Sequence, residues 1–421
     1  MLRVSENTLY IKFILKMMNF NSNNFKNQKI NTLNKSMIYI LSVLILTACN
    51  FKQDSTVGDT SLLEDRYQEL LEYPVDSLSF PRSMSIKNGL IRKESSRDWT
   101  SGFFPGNLWL IYELTGNKEY MKRAIEWTAF MENEKYNTKT HDTGFMINCS
   151  FGTGYRATGN EEYKEVILET AKSLSKRFDE NVGCIRSWDF GKDLWEFPVI
   201  IDNMINLELL FEATKVSGDS TYYQIAVQHA NSTLKNHFRE DNSTYHVVDY
   251  NSTNGLVNKK MTHQGYNDDS SWARGQAWAI YGYTMAYRYT NDSAYLKQAE
   301  ATTKYYLNHK NLPKDGIPYW DFEDPNIPNS PRDVSASAVV ASALFELYSY
   351  TKKKEYLNYS KKVLGVLKSN KYMLKADVKR PFILGSSTGH FPADDEIDEP
   401  IVYADYYFLE ALLREKLTSV D

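Results

Sequence analysis

Three groups of residues in the 421-residue chain have types and spacings that could do chemistry. The first is Asp202, embedded in the apolar run FPVIIDNMINLELLF that begins at Phe197. It shares one helix face with Asn206, four residues on, among Ile200, Ile201, Met204 and Ile205. Pro198 suits the first turn of that helix. An acid there is costly to bury unless paired or protonated, which fits a proton donor; a hydrogen-bonded structural aspartate is the alternative. The second group is His141-Asp142 in THDTGFM, where Asp142 falls at a helix start and reads as an N-cap or as a partner carboxylate. The third and densest group is THQGY from Thr262 followed by SSWARGQAW from Ser270. Arg274 and Trp278 lie one helical turn apart, with Trp272 at the helix mouth. A guanidinium among indoles fits a carboxylate-bearing sugar, with the fork on the carboxylate and the flat faces on the ring. Cation–π packing at a helix start is the alternative. On the first reading, Arg274→Ala raises the Michaelis constant more than it disturbs folding.

The elements that must position these groups follow from a repeat. Five segments share one local pattern: a breaker, a polar pair, a tyrosine four residues on, then a small or apolar residue. They are GNKEYMKRA from Gly116, GNEEYKEVI from Gly159, GDSTYYQIA from Gly218, NDSAYLKQA from Asn291 and KKKEYLNYS from Lys352. Gly or Asn suits the left-handed cap that ends one helix, so each segment marks a helix-turn-helix joint. An apolar helix precedes each joint, such as Val199 to Ala213, and a more amphipathic one follows, such as Tyr120 to Met131. With the flanking segments Gly102 to Gly116 and Tyr403 to Leu417, about twelve helices pair as six hairpins. The chain therefore reads as all-α, a closed toroid of six helical hairpins, favoured over an open solenoid because large aromatics and isolated acids on the inner helices need a shared lumen. Strand-like Tyr245 to Tyr250 reads as a hairpin insertion at the barrel mouth.

Composition narrows the class. Hydrophobic residues make up 42% of the chain, enough for a packed core, while 30 Tyr and 8 Trp exceed what a core demands and suit a sugar site. A net charge of -4 with no long run of either sign excludes a nucleic-acid footprint. Cys149 and Cys184 show no CxxC spacing and no zinc-like histidine pairing, so no structural metal is expected. Two buried free thiols are favoured over a single Cys149–Cys184 bridge.

The amino terminus reads as an address. The apolar run MIYILSVLILTA from Met37 follows Lys26, Lys29 and Lys35 and ends in small residues before Cys49. It is too short to span a bilayer and has the layout of a secretory signal. Leu46-Thr47-Ala48-Cys49 resembles a bacterial lipobox, in which Cys49 is lipidated and becomes the first mature residue. Residues 1–48 are thus expected to be a disordered extension and lipoprotein signal, 49–61 a polar tether, and 62–421 the catalytic domain. The expected location is that of an exported lipoprotein, at the outer membrane or in the periplasm.

Several motifs carry a resemblance. DWTSGFFPG from Asp98, His141-Asp142-x-Gly144-Phe145, FPVIIDNMINLELLF, HQGY from His263, SSWARGQAW and YADYYFLEALLR from Tyr403 are similar to glycoside hydrolase family 88, the unsaturated glucuronyl hydrolases. The resemblance spans roughly residues 62 to 417 with the motifs in order. It implies an (α/α)6 barrel, Asp202 as general acid/base and Asp142 as its essential partner. It also implies substrate contacts from Trp99, His141, Trp188, His246, Gln264, Trp272, Arg274 and Trp278, with Trp188 and His246 placed by spacing alone. The segment Ser386 to His390 would border the leaving sugar, so Ser387 and His390 join the expected contacts; its hydroxyls and histidine, without a lysine, are compatible with a sulfated neighbour. The implied substrate is an oligosaccharide with a 4,5-unsaturated glucuronic acid at its non-reducing end, supplied by an upstream polysaccharide lyase. No cofactor has a role. An unsaturated rhamnogalacturonyl hydrolase is the nearest alternative, and a non-catalytic glycan-binding helical lipoprotein the more distant one.

Overall fold

The computed structural model describes residues 60–418, all of which fall in one compact unit. The expected signal segment, the lipobox-like tetrad ending at Cys49 and the expected tether as far as residue 59 lie outside the described residues.

Each of the five joints ends a helix in a left-handed residue: Gly116, Gly159 and Gly218 at φ of 70°, 68° and 77°, and Asn291 and Lys352 both at 55°. In four joints the next residue supplies a side-chain acceptor to the N–H two positions on: Asn117 to Glu119, Asn160 to Glu162, Asp219 to Thr221 and Asp292 to Ala294. Capping of this kind stops one helix and starts the next within two residues. Tyr120, Tyr163, Tyr222, Tyr295 and Tyr356 then bury their rings at the corners. The fifth joint departs from the rule, because Lys353 has no acceptor to offer.

The joints create alternating inner and outer helices. The inner ones are α2 (Phe103–Thr115), the broken helix formed by α4 (Thr143–Ile147), a π-turn and α5 (Thr153–Thr158), α7 (Asn203–Ser217), α9 (Ala273–Thr290), α11 (Val334–Thr351) and α13 (Val402–Thr418). The outer ones are α3 (Lys118–Ala129), α6 (Glu161–Ser175), α8 (Ser220–Asn236), α10 (Ser293–Asn308) and α12 (Lys354–Leu367). Inner helices such as α9 and α11 are buried around most of their circumference, whereas the outer ones bury a single stripe, as a two-layer toroid requires. Packing runs from α2 around the ring to α13, which returns against α2, so the toroid closes.

The sixth outer position is filled from far away in sequence by α1 (Thr60–Glu72). Tyr67 meets Tyr120 of α3 edge-on at 6.5 Å, and Arg66 Nη1 donates to the Val378 carbonyl beyond α12.

Short strands gather where the inner helices begin. β1 (Phe80–Met84) pairs with β2 (Ile91–Glu94), and β3 (Phe178–Asp179) with β4 (Cys184–Ile185). β5 (Phe197–Ile200), β6 (Val247–Tyr250) and β7 (Val257–Met261) form an antiparallel sheet, and β8 (Ser387–His390) pairs with β9 (Asp395–Glu399). The expected hairpin insertion is thus present. The expected helix start at Pro198 is corrected: Phe197 to Ile200 pairs with Tyr250 to Val247, and the helix begins only at Asn203. β-Branched Val199 and Ile200 favour the pleated surface, and the proline is tolerated because β5 is an edge strand.

Candidate active site

Asp142 and Asp202 both sit at the N-cap position of an inner helix, α4 and α7 respectively, and neither spends its carboxylate on the cap. Aspartates elsewhere in the barrel do cap, as Asp219, Asp292 and Asp333 show. The two acids are therefore placed by helix starts and left available to the lumen. The reading of Asp202 within a helix is corrected to a position at its threshold.

For Asp202, the hydrophobic surroundings dominate. Burial pushes its carboxyl up to about 7, the Arg274 guanidinium draws it down, and the Asp142 carboxylate raises it further. Its Oδ1 is buried without a hydrogen-bond partner and lies 3.7 Å from Nε2 of His246. The Trp278 indole N–H also acts on this carboxyl but makes no complete hydrogen bond.

His246 has its tautomer fixed from behind. Its Nδ1 accepts the backbone N–H groups of His263 and Gln264, both at 3.1 Å, so the ring proton resides on Nε2, facing Asp202. Burial keeps this imidazole neutral, its pKa far below the ordinary histidine value. Asp142 is held from its own segment: the Thr140 hydroxyl donates to Oδ2 at 2.7 Å, and His141 Nε2 lies 3.1 Å from Oδ1. Close approach of α4 to α7 depends on Gly144, where a Cβ would come within 2.5 Å of the Asn206 Cα. Asn206, expected on the Asp202 face, instead reaches back and accepts the Phe145 N–H at 2.7 Å.

The cleft in front of these acids has a volume of about 200 Å³. Of the residues expected from sequence, Trp99, His141, Asp142, Trp188, Asp202, Gln264, Arg274 and His390 line it. His246, Trp272, Trp278 and Ser387 stand behind that lining: Trp272 packs on His246 at 4.6 Å between ring centroids, Trp278 on Phe145 at 5.5 Å, and the Ser387 hydroxyl is buried. In this arrangement the four support the groups that line the cleft.

Arg274 reaches the cleft wall from α9. Its side chain is buried and its Nη atoms are committed to the protein: Nη1 donates to Asp333 Oδ2 at 2.7 Å and to the Thr388 carbonyl at 2.6 Å, and Nη2 to the Gly389 carbonyl at 2.5 Å. The fork clamps the β8 segment to α9 and α11, with the guanidinium 4.5 Å from the Trp272 ring centroid. Gln264 reinforces the clamp through a 3.2 Å bond to Gly389.

Several lining residues had not been singled out: Arg82, Phe145, Phe190, His263, Asp395, Glu396 and Tyr403. His263, Phe145 and Tyr403 lie inside motifs already noted and could have been found there. Arg82 and Glu396, paired at 2.8 Å across 314 residues, carry no local signal. Phe190 stacks on Trp188 at 4.9 Å and leaves over half its surface exposed at the mouth. Cys149 and Cys184 are buried free thiols. Among the described residues, no group of three or more His, Cys, Asp or Glu could hold a metal ion.

Two carboxyl groups at the mouth of a closed helical toroid, one pushed toward neutrality and set among tryptophans, define an acid–base enzyme for a carbohydrate. Residues 79–324 match the model of Glycosyl Hydrolase Family 88. An unsaturated glucuronyl hydrolase of Formosa agariphila is 57% identical over 394 residues, covering 91% of this chain and 98% of that protein. A crystal structure of an unsaturated glucuronyl hydrolase specific for heparin superposes with a TM-score of 0.83 at 42% identity, covering 86% of this chain and 97% of that one. A mutant unsaturated glucuronyl hydrolase from Streptococcus agalactiae, complexed with dGlcA-GalNAc6S, gives a TM-score of 0.72 at 27% identity, covering 93% and 97% of the two chains. The chain belongs to glycosyl hydrolase family 88.

Proposed function

We infer that this enzyme hydrates the C4–C5 double bond of a 4,5-unsaturated glucuronic acid at the non-reducing end of an oligosaccharide and thereby releases that sugar. The observation that carries the reading is Asp202: a buried carboxyl raised to about 7, at a helix start it does not cap, beside a second carboxylate. An acid of this kind can deliver a proton at neutral pH and take one back.

The substrate's double bond is an enol ether. Asp202 protonates C4, and positive charge develops at C5 and the ring oxygen. Water adds to C5 and gives its proton to the Asp202 carboxylate, restoring the acid. The resulting hemiketal opens by breaking the bond between C5 and the ring oxygen, leaving a ketone at C5. The hemiacetal now at C1 expels the leaving sugar with its glycosidic oxygen, so one water is consumed and the uronate departs as a keto-aldehyde. His246, its Nε2 proton facing Asp202, is placed to orient the acid or the water. Trp99 and Trp188 wall the cleft against bulk water. In an assay the conjugated C4–C5 absorbance disappears in step with release of the leaving sugar; release without that loss would contradict the reading.

A polysaccharide lyase supplies the substrate, because β-elimination is the chemistry that creates this double bond. A sulfate on the leaving sugar is supported by His390 of the β8 segment, which lines the cleft, and by the relative's complex with dGlcA-GalNAc6S. The enzyme works as an exported lipoprotein held by a lipid on Cys49, a reading supported by the Leu-Thr-Ala-Cys tetrad after an apolar run. Cys49→Ala should release it from membranes in a host that processes lipoproteins; unchanged membrane fractionation and lipid labelling would contradict the anchor.

A further inference from the structure

An aspartate at a helix N-cap ordinarily turns its carboxylate onto the first turn of its own helix. Asp142 does not, and two neighbours account for it. Asn206 of α7 already accepts the Phe145 N–H, the group three residues past Asp142 that its cap would serve. Thr140 takes hold of the carboxylate itself: its hydroxyl accepts the Asp142 N–H at 3.1 Å and donates to Oδ2 at 2.7 Å. The hydroxyl is thereby committed at both ends, and its proton has a defined acceptor. His141 Nε2 approaches the other oxygen at 3.1 Å, but its ring is buried and held toward neutrality, so it brings no full charge.

We propose that Thr140 is a positioning residue, which keeps the Asp142 carboxylate turned toward Asp202. Its role runs through charge. Asp142 lies at the start of α4, and its negative charge opposes ionisation of Asp202 at the start of α7. The other groups facing Asp202 are Arg274 and Trp278 from α9 and His246 from the segment before β6. Arg274 is pinned by Asp333, Thr388 and Gly389, and His246 by the backbone of His263 and Gln264. Asp142 is thus the member of the set held only from its own segment, by the Thr140 hydroxyl on one oxygen and the His141 ring on the other. Without the hydroxyl, only the neutral His141 ring holds the carboxylate, which can then turn away from Asp202 into the open cleft.

The inference rests on the reading of Asp202 as the proton donor. That donor is needed in its protonated form, so kcat/KM falls as pH rises through its pKa. Weakening the Asp142 charge at Asp202 lowers that pKa and moves the alkaline limb of the profile to lower pH. Thr140→Val keeps the shape of the side chain and removes the hydroxyl. The expected result is an alkaline limb displaced downward by about one pH unit, with kcat/KM on the alkaline side reduced about tenfold. Thr140→Ser keeps the hydroxyl and should restore the wild-type limb, which a purely structural role would not require. An alkaline limb in Thr140→Val that coincides with wild type overturns the proposal, whatever the absolute rate or melting temperature. Asp202→Asn measured alongside separates the two ideas: activity retained there overturns the donor assignment itself.

Discussion

Asp202→Asn is expected to abolish turnover of a 4,5-unsaturated disaccharide while the fold and ligand binding persist. The amide keeps the shape of the side chain but has no transferable proton, and loss of acid–base catalysis alone costs about a hundredfold or more in kcat. The substitution should also stabilise the protein, in a way that depends on pH. A carboxyl raised from 3.8 to about 7 in the folded state binds its proton more tightly there than in the unfolded chain. Its contribution is fully favourable below the unfolded value and is lost progressively as pH rises through the folded one. Above about pH 7 the buried charge costs up to about 4 kcal/mol relative to acid pH, at about 1.4 kcal/mol per pH unit. Removing it should make the Asn variant's gain in unfolding free energy grow as pH is raised from about 4 to about 7. An inactive variant whose gain in stability is the same at every pH would show that Asp202 is not titrating in that range.

The second large effect is expected at Arg274. From sequence, its guanidinium reads as a clamp on the substrate carboxylate, and truncation as a loss of binding. In the structure the side chains of Arg274 and Asp333 are 1% and 0% exposed and face each other at 2.7 Å. Arg274→Ala leaves Asp333 buried without its partner and releases the Thr388 and Gly389 carbonyls, so a loss of about 3–5 kcal/mol of stability is expected. Arg274→Lys should recover little of it, because one ammonium cannot present the planar fork that spans α11 and the β8 segment. Urea unfolding checks both variants. Combined with Asp333→Asn, the Ala variant should lose much less than the two single changes added together, since the uncompensated charge is gone. An Ala variant with wild-type stability and a raised KM would return Arg274 to the substrate.

These two residues also show what a sequence can and cannot carry. The five joints were legible because their causes are local: a left-handed Gly, Asn or Lys, in four of them a capping Asn or Asp, and a tyrosine at the corner, all within five residues. The placement of Asp142 at a helix start was legible for the same reason. What local pattern misses is set by partners far along the chain. Phe197 to Ile200 became a strand because Val247 to Tyr250 pairs with it. The Arg274 fork was visible on its helix face, but its acceptors lie 59, 114 and 115 residues away. Arg82 and Glu396 enter the cleft wall from opposite ends of the chain, and α1 closes the ring from before the first joint. The commitment of each carboxylate was likewise invisible: the letter Asp before a helix gives no sign of whether it caps.

The central claim is that the enzyme attacks C4 and C5 and leaves C1 untouched until the ring has opened. The most direct test replaces the glycosidic oxygen of the unsaturated disaccharide by sulfur and follows the C4–C5 absorbance. A thioether is a poor acceptor for a proton at C1, so conventional glycoside hydrolysis slows severely, whereas hydration of the double bond does not involve that atom in its first steps. Turnover of the sulfur-linked substrate within about tenfold of the oxygen-linked one, with loss of absorbance that disappears in Asp202→Asn, is the predicted result. Cleavage of the oxygen-linked substrate alone, with the sulfur-linked compound inert and its absorbance intact, would contradict it.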